Sequence, residues 1–276
     1  MLRGGRHPPR GRCIADLQPA GQNGDVQPTA DDHVLAGQLA GAAGELLVAL
    51  RARHEPGAER GALGDAASDA FLLAELRRLR PKDHVLSEES ADDLSRLGVR
   101  RVWIVDPLDG TREFCEADRV DWAVHVALTI DGVACAGAVA LPAQDWVATT
   151  HSRHPARPDS AQLRMVVSRS RATPLVTDVA DIIGALLVPL GSAGAKAMAV
   201  LRGDAEIYLH TGGMYEWDSC APVAVAVAAG LHCSRVDGSP LSYNNDDPLL
   251  PDLLVCRPEL AQNVLAAIRK AGVLGA

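Results

Sequence analysis

Apolar residues Val34, Leu35, Leu39, Ala42, Ala43, Leu46, Leu47 and Leu50 recur at helical spacing, and Asp31 or Asp32 is placed to cap the helix they predict. Pro56, Gly57 and Gly61 interrupt the pattern across Arg53–Gly64. A second helix is predicted over about Ala66–Arg80, with Phe71, Leu72, Leu76 and Leu79 turned inward and Pro81 as its stop. His84-Val85-Leu86 reads as a short strand running into Ser87-Glu88-Glu89-Ser90. The continuous run Val102-Trp103-Ile104-Val105 predicts a buried strand. Pro107 has no N–H for the ladder, so the chain is expected to leave the sheet there, with Asp106 at the strand's carboxyl end. Trp122, Val124, Val126, Leu128 and Ile130 then alternate up to Asp131-Gly132, a strong hairpin signal. Return strands over Val133–Leu141 and Trp146–Thr150 complete an antiparallel meander.

The polar, proline-containing stretch His151–Gln162 is the natural boundary. Beyond it, strands near Met165–Val167, Val188–Leu190, Glu206–Leu209, Leu231–Arg235 and Leu253–Cys256 are interleaved with helices. Those helices are expected near Pro174–Leu186, Ala193–Leu201, Ser219–Ala229 and Glu259–Ala271. An antiparallel first half and an alternating second half predict two packed units, 31–155 and 156–276, with a site between them. Residues 1–30, rich in Gly, Pro, Arg and Gln without a period, are expected to form a flexible tail.

The 276 residues suffice for one large or two medium domains, and 47% apolar with 22% charged residues is globular composition. Aromatics are only 3% and the net charge is −8 without a basic stripe, which argues against single-strand and duplex nucleic acid as partners. Six scattered cysteines (13, 115, 135, 220, 233, 256) show no zinc-like spacing and are read as reduced. No apolar run is read as approaching the ~20 residues that cross a membrane. The amino-terminal arginines have no apolar stretch behind them, and a cytoplasmic protein is expected.

The chemistry centres on Asp106-Pro107-Leu108-Asp109-Gly110-Thr111. Two carboxylates three residues apart on a tight turn can share hard divalent cations, and the N–H groups of Gly110 and Thr111 can take an anion. The plainer alternative is an ordinary surface turn. Glu88 and Glu89 alternatively belong to a solvated acidic loop, and Asp218 to the N-cap of the helix over Ser219–Ala229. Haloacid-dehalogenase-type phosphatases place Asp-x-Asp-Gly-Thr after a strand. The spacing here is one residue longer, with Leu108 where the nucleophile would be needed, so that reading is rejected.

Four segments carry a resemblance: Leu86-Ser87-Glu88-Glu89-Ser90; Trp103 through Phe114; Gly191-Ser192-Ala193-Gly194-Ala195-Lys196; and Glu216-Trp217-Asp218-Ser219-Cys220-Ala221-Pro222. Together they resemble the inositol-monophosphatase superfamily, with the Arg112-Glu113-Phe114 ending and Val167–Ser170 leaning toward its CysQ-type 3′(2′),5′-bisphosphate nucleotidases. The resemblance implies a mixed α+β, α/β fold: a layered α-β-α-β-α sandwich of the inositol-monophosphatase/fructose-1,6-bisphosphatase type. It implies hydrolysis of the 3′-phosphate of adenosine 3′,5′-bisphosphate, linked to sulfate assimilation, with Li⁺ as an inhibitor. Broader inositol-phosphate or fructose-1,6-bisphosphate phosphatase activity stays open, as does a non-catalytic metabolite-binding regulator.

By position, Glu88, Asp106 and the Leu108 carbonyl would hold one Mg²⁺, and Asp106, Asp109 and Asp218 a second. Thr111, with Glu88 or Asp69, would orient the attacking water, and Gly110 and Thr111 would grip the phosphate. Further substrate contacts are expected at Ser168, Arg169, Gly191, Ser192, Lys196 and His210, and a homodimer is left open. Asp69 matches an acidic position that supports a third, weaker ion, but its companion threonine is absent and Asp65 is the nearest substitute. His210 stands where inositol-specific relatives carry a glutamate, and an imidazole suits a second phosphate better than a polyol. The alternative for His210 is a partly exposed strand-end residue. Lys196 is read as lying on the exposed side of its helix, and His125 as structural.

Overall fold

The computed structural model describes residues 27–92, 94–153, 162–170 and 172–274. Most of the expected amino-terminal tail, and residues 154–161 of the expected boundary, lie outside the described residues. Helices α1 (Ala30–Arg51) and α2 (Ala58–Leu79) come first, then β1 (His84–Ser87) and β2 (Arg101–Asp109). Next are α3 (Thr111–Cys115), β3 (Ala123–Ile130), β4 (Val133–Leu141) and β5 (Trp146–Thr149). The remainder is β6 (Arg164–Ser168), α4 (Pro174–Ile183), β7 (Leu186–Leu190), α5 (Ala193–Arg202), β8 (Ile207–Tyr215), α6 (Glu216–Ala228), β9 (His232–Ser234), β10 (Leu249–Cys256) and α7 (Ala261–Leu274).

The first sheet has the order β1-β2-β3-β4-β5, with β1 parallel to β2 and the rest an antiparallel meander. The second has the order β7-β6-β8-β10-β9 and is mixed: β7 and β8 run parallel to β6, while β10 runs antiparallel to its neighbours. Because strand side chains alternate, each apolar strand feeds two cores. Trp103, Val105, Val124 and Val126 pack under α1 and α2, while Val102, Ile104, Ala123 and Ala127 face α5 and α6. The far side of that helical layer receives Val166, Tyr208, Leu253 and Val255 from the second sheet. Met165, Val167, Ile207 and Leu254 pack on its other face against α4 and α7. The layers are therefore α-β-α-β-α, as the resemblance implies.

Several element boundaries differ from expectation. Thr29, rather than Asp31 or Asp32, caps α1: its hydroxyl accepts from Asp32 N, and the Asp32 carboxylate accepts from Thr29 N at 2.9 Å. Asp32 also pairs with Arg80 at 2.8 Å and Arg101 at 3.2 Å, which compensates its burial. Val34, expected inside, is exposed. Helix α1 is 22 residues with mean hydropathy 1.4, long and apolar enough to span a membrane by those measures, so the expectation of no such run is overturned. Its Leu35, Leu39 and Leu47 are buried in the first core.

Helix α2 starts eight residues before the expected Ala66, because its glycines are contact points rather than breakers. A Cβ on Gly61 would meet Cys115 Sγ at 2.7 Å and Thr111 Cγ2 at 2.9 Å, so α2 lies directly against α3. Strand β2 also runs on through Pro107 to Asp109. The register shifts between Asp106↔His125 and Asp109↔Ala123, and that irregularity accommodates the missing N–H. Helix α4 stops at Ile183, short of Leu186, where Gly184 takes the left-handed conformation. Helix α6 begins at Glu216, not Ser219, with Tyr215 as its N-cap.

Candidate active site

Three elements deliver carboxylates to one groove. At the irregular end of β2, Leu108 N donates to Asp106 Oδ1 at 3.1 Å and Ser68 Oγ donates to the Pro107 carbonyl at 2.7 Å, which pins the backbone. Asp109 closes the strand, Gly110 turns with φ 87°, and α3 follows. Asp218, the third residue of α6, accepts from Tyr215 N at 2.6 Å; it is a capping-box residue, not the expected N-cap. Pro222 one turn later has no N–H to give the Asp218 carbonyl.

One ligand oxygen each from Asp106, Asp109 and Asp218 lie within 4.8 Å of one another. Burial, and then the charges of Glu88, Asp109 and Asp218, push the Asp106 carboxyl well above its usual range. Glu88, open by surface area yet sunk among protein atoms, rises to about 7 through burial and the Asp218 charge. Asp106 Oδ2 is buried with no hydrogen-bond partner. Asp109 behaves oppositely. Burial opposes its ionisation, but the His125 ring, Lys196 and the Gly194 N–H hold it down at about 2. Its oxygens accept from Ala193 N at 3.1 Å and Gly194 N at 2.6 Å, at the amino terminus of α5.

Crowded carboxylates with an orphaned buried oxygen form a donor set suited to hard divalent cations. The surrounding groove has a volume of about 360 Å³. It is lined by Glu88, Asp106, Leu108, Asp109, Gly110, Thr111, Ser168, Arg169, Gly191, Ser192, Lys196, His210 and Asp218. The metal and substrate residues singled out from the sequence, Asp69 apart, thus line one groove.

The family model for the inositol monophosphatase family matches residues 62–272. The chain belongs to the inositol monophosphatase family. Among its relatives, the 3′-phosphoadenosine 5′-phosphate phosphatase of Mycobacterium leprae (strain TN) is 47% identical over 266 residues, covering 89% of this chain and 96% of that one. The 3′(2′),5′-bisphosphate nucleotidase CysQ of Escherichia coli (strain K12) is 31% identical over 198 residues, covering 67% and 80%. A crystal structure of CysQ from Bacteroides thetaiotaomicron superposes with TM-score 0.72 at 26% identity, covering 82% of this chain and 97% of that one.

Within this family frame, several side chains do not stand as expected. Asp69 does not line the groove. It accepts from Ser87 Oγ at 2.5 Å and Ser90 Oγ at 2.9 Å, and so braces the segment that carries Glu88. The carboxylate beside Thr111 is Asp65: Thr111 Oγ1 lies 3.2 Å from both Asp65 Oδ1 and the Leu108 carbonyl. Asp65 rises to about 6 through burial and the Glu89 charge. Lys196, read as exposed, is 3% exposed, and its ammonium donates to the Gly191 carbonyl and, at 2.8 Å, to that of Ser192. Helix α5 is enclosed between the two sheets, so it offers little outward face to solvate a lysine. His210 is also buried, with Nε2 2.8 Å from the Gly213 carbonyl. Arg169 pairs with Glu113 at 2.6 Å and with Glu116, which ties β6 to α3 across the groove.

Two residues of the site were missed. His125 was taken as structural, and it is wholly buried. Its Nδ1 is 3.0 Å from the Trp217 carbonyl, and its Nε2 approaches Asp109 Oδ2 at 3.1 Å, out of line for a hydrogen bond. Burial opposes its protonation, yet the Asp109 charge raises its pKa above the ordinary value. The signal was a histidine in a strand otherwise apolar but for Thr129, paired in register with Asp106. Asp121 accepts from Gly191 N at 2.6 Å and, through its carbonyl, from Ser192 N at 3.2 Å, so it anchors the loop before α5.

Proposed function

We propose that this protein is a Mg²⁺-dependent phosphatase that removes the 3′-phosphate of adenosine 3′,5′-bisphosphate, leaving AMP and phosphate. The observation that carries the reading is the carboxylate cluster Asp106, Asp109 and Asp218 beside Glu88, in a chain 47% identical to a relative named for that substrate. Glu88, Asp106 and the Leu108 carbonyl would hold one ion, and Asp106, Asp109 and Asp218 a second. Bound divalent cations supply a Lewis acid and an activated water for in-line phosphoryl transfer.

The chain's own residues do the rest. Thr111 Oγ1, held between Asp65 and the Leu108 carbonyl, would orient the attacking water. Gly110 and Thr111 N–H groups take phosphate oxygens where α3 begins. Asp69 positions Glu88 through Ser87 and Ser90, a bracing role in place of the third-ion role. His210, Lys196 and Arg169 bring donors to the wall where a second phosphate would lie. The groove lies between units 31–155 and 156–276, a division supported by one sheet drawing only on residues 84–149 and the other on 164–256. A reducing, cytoplasmic setting is supported by the free thiols of Cys115, Cys135, Cys220, Cys233 and Cys256.

The test is a panel with Mg²⁺. The ratio kcat/KM for adenosine 3′,5′-bisphosphate is expected to exceed those for inositol 1-phosphate and fructose 1,6-bisphosphate by roughly 10²-fold. Equal values would support the broader sugar-phosphate reading instead.

Stability should report the same carboxylates. Burial and the Asp218 charge raise folded Glu88 from 4.5 to about 7, so the metal-free fold retains a proton that the unfolded chain has lost. Stability of the metal-free protein therefore falls as pH rises from about 4.5 through 7. Cations reverse that penalty, so the rise in Tm on adding Mg²⁺ is expected to be larger at pH 8 than at pH 6. A rise that is equal or larger at pH 6 would contradict the assignment.

A further inference from the structure

On one wall of the groove a single guanidinium stands between two carboxylates. Arg169, just past β6, donates from Nε to Glu113 Oε1 at 2.6 Å. Its Nη2 donates to Glu116 Oε1, and its Nη1 lies 3.4 Å from Glu116 Oε2. Arg169 and Glu113 line the groove, whereas Glu116, the C-cap of α3, reaches Arg169 from outside that lining.

The three donors proposed for this wall are not equally available. Lys196 is 3% exposed and His210 7%, and both have carbonyl partners. The Arg169 side chain is 27% exposed, which makes it the most accessible of the three. Its charge is nevertheless spent. Two carboxylates against one guanidinium leave this part of the wall negative, and a phosphate arriving there meets like charge.

The two carboxylates differ in how freely they can leave. A Cβ on Gly191 would stand 2.3 Å from both Cγ and Cδ of Glu113, and one on Gly110 would stand 3.2 Å from its Oε2. The enclosed Glu113 side chain is thus wedged between two stretches of backbone. Glu116 is 44% exposed, and a carboxylate so open to water is readily rehydrated when it lets go. Its two oxygens meet Nη1 and Nη2 end-on, the fork that a guanidinium also offers to a phosphate.

Taking the bisphosphate reading above as given, we propose that Glu116 is a specificity-determining residue. Its carboxylate occupies the edge of Arg169 that the second phosphate of the substrate takes over. Glu113 keeps the Nε and holds the guanidinium in place while Glu116 swings out to solvent. A substrate with a single phosphate leaves the Arg169–Glu116 pair closed and gains nothing from it.

Steady-state kinetics of the full chain with Mg²⁺ test this exchange, on adenosine 3′,5′-bisphosphate and on adenosine 3′-phosphate. Wild type is compared with Glu116→Gln, Arg169→Gln and the double variant. Glu116→Gln is expected to lower KM for the bisphosphate about threefold, the scale of an exposed ion pair, with kcat unchanged. Neither constant should change for adenosine 3′-phosphate, and the KM gain should vanish in the Arg169→Gln background. If the pair served only to tie β6 to α3, Glu116→Gln would instead lower Tm and raise KM for both substrates, which overturns the proposal. A fall in KM shared by both substrates, or one that persists without Arg169, also overturns it. Either would point to plain charge removal acting through another cation of the groove, such as Arg112. Phosphate release with KM unchanged in Glu116→Gln defeats the exchange alone, whereas no release from either substrate defeats the phosphatase reading with it.

Discussion

Asp106→Asn is expected to lower kcat/KM by roughly 10³-fold while raising the Tm of the metal-free protein. The opposite signs share one cause. Asp106 is wholly buried, its Oδ2 has no hydrogen-bond partner and stands 4.0 Å from His125 Nδ1, and Glu88, Asp109 and Asp218 press negative charge on it. Without a cation, the carboxylate is a cost to the fold, and an amide of the same shape removes one charge while keeping an oxygen for the Leu108 N–H. Relief of about 1 kcal/mol would raise Tm by about 3 °C in a chain of this size. With Mg²⁺ present the order should reverse, because the wild type gains a shared ligand that the amide supplies poorly. Thermal unfolding of both proteins, with EDTA and with Mg²⁺, measures all four values. A variant less stable than wild type in EDTA would mean that Asp106 is held by something other than a cation.

Gly194→Ala should be the most damaging single-methyl change in the molecule's site. A Cβ there would stand 2.2 Å from His125 Nε2, 3.1 Å from Ala123 Cβ and 3.2 Å from Asp109 Oδ2. The imidazole cannot retreat freely, since its Nδ1 is held at the Trp217 carbonyl and the residue is enclosed. Either α5 moves off the sheet or the ring is displaced, and both outcomes break the 2.6 Å bond from Gly194 N to Asp109. A loss of about 3 kcal/mol in stability is expected, with activity down at least 10²-fold in the protein that remains folded. Denaturant unfolding and phosphate release separate the two. Full activity in Gly194→Ala would show that the His125–Asp109–α5 contact is dispensable.

What could be read from the chain was the local chemistry. Asp106, Asp109, Gly110 and Thr111 are neighbours in sequence, and a strand end followed by a turn constrains them strongly. Glu88 and Asp218 were recoverable because each follows or opens a regular element. The hairpin at Asp131-Gly132 was legible for a similar reason: both residues take positive φ, 51° and 79°, as that turn demands.

What failed depended on partners distant in sequence. Gly61 reads as a breaker until Cys115 and Thr111 are seen against it. Pro107 reads as a strand stop until the shifted pairing opposite it is seen. Lys196 reads as a surface lysine because a helix pattern alone does not reveal that sheets cover both sides of α5. His125 is recognisable as part of the site only once the pairing of β2 with β3 sets it opposite Asp106. Asp65 and Asp69 stand one helical turn apart, and only the packing of α2 on α3 decides which one meets Thr111.

The most direct measurement of the central claim is phosphorus NMR of the reaction with adenosine 3′,5′-bisphosphate and Mg²⁺. The account predicts loss of the 3′-phosphate resonance, equal growth of inorganic phosphate, and AMP that keeps its 5′-phosphate, all suppressed by EDTA and in Asp106→Asn. Release of the 5′-phosphate instead, or no release from this substrate with Mg²⁺, would contradict it.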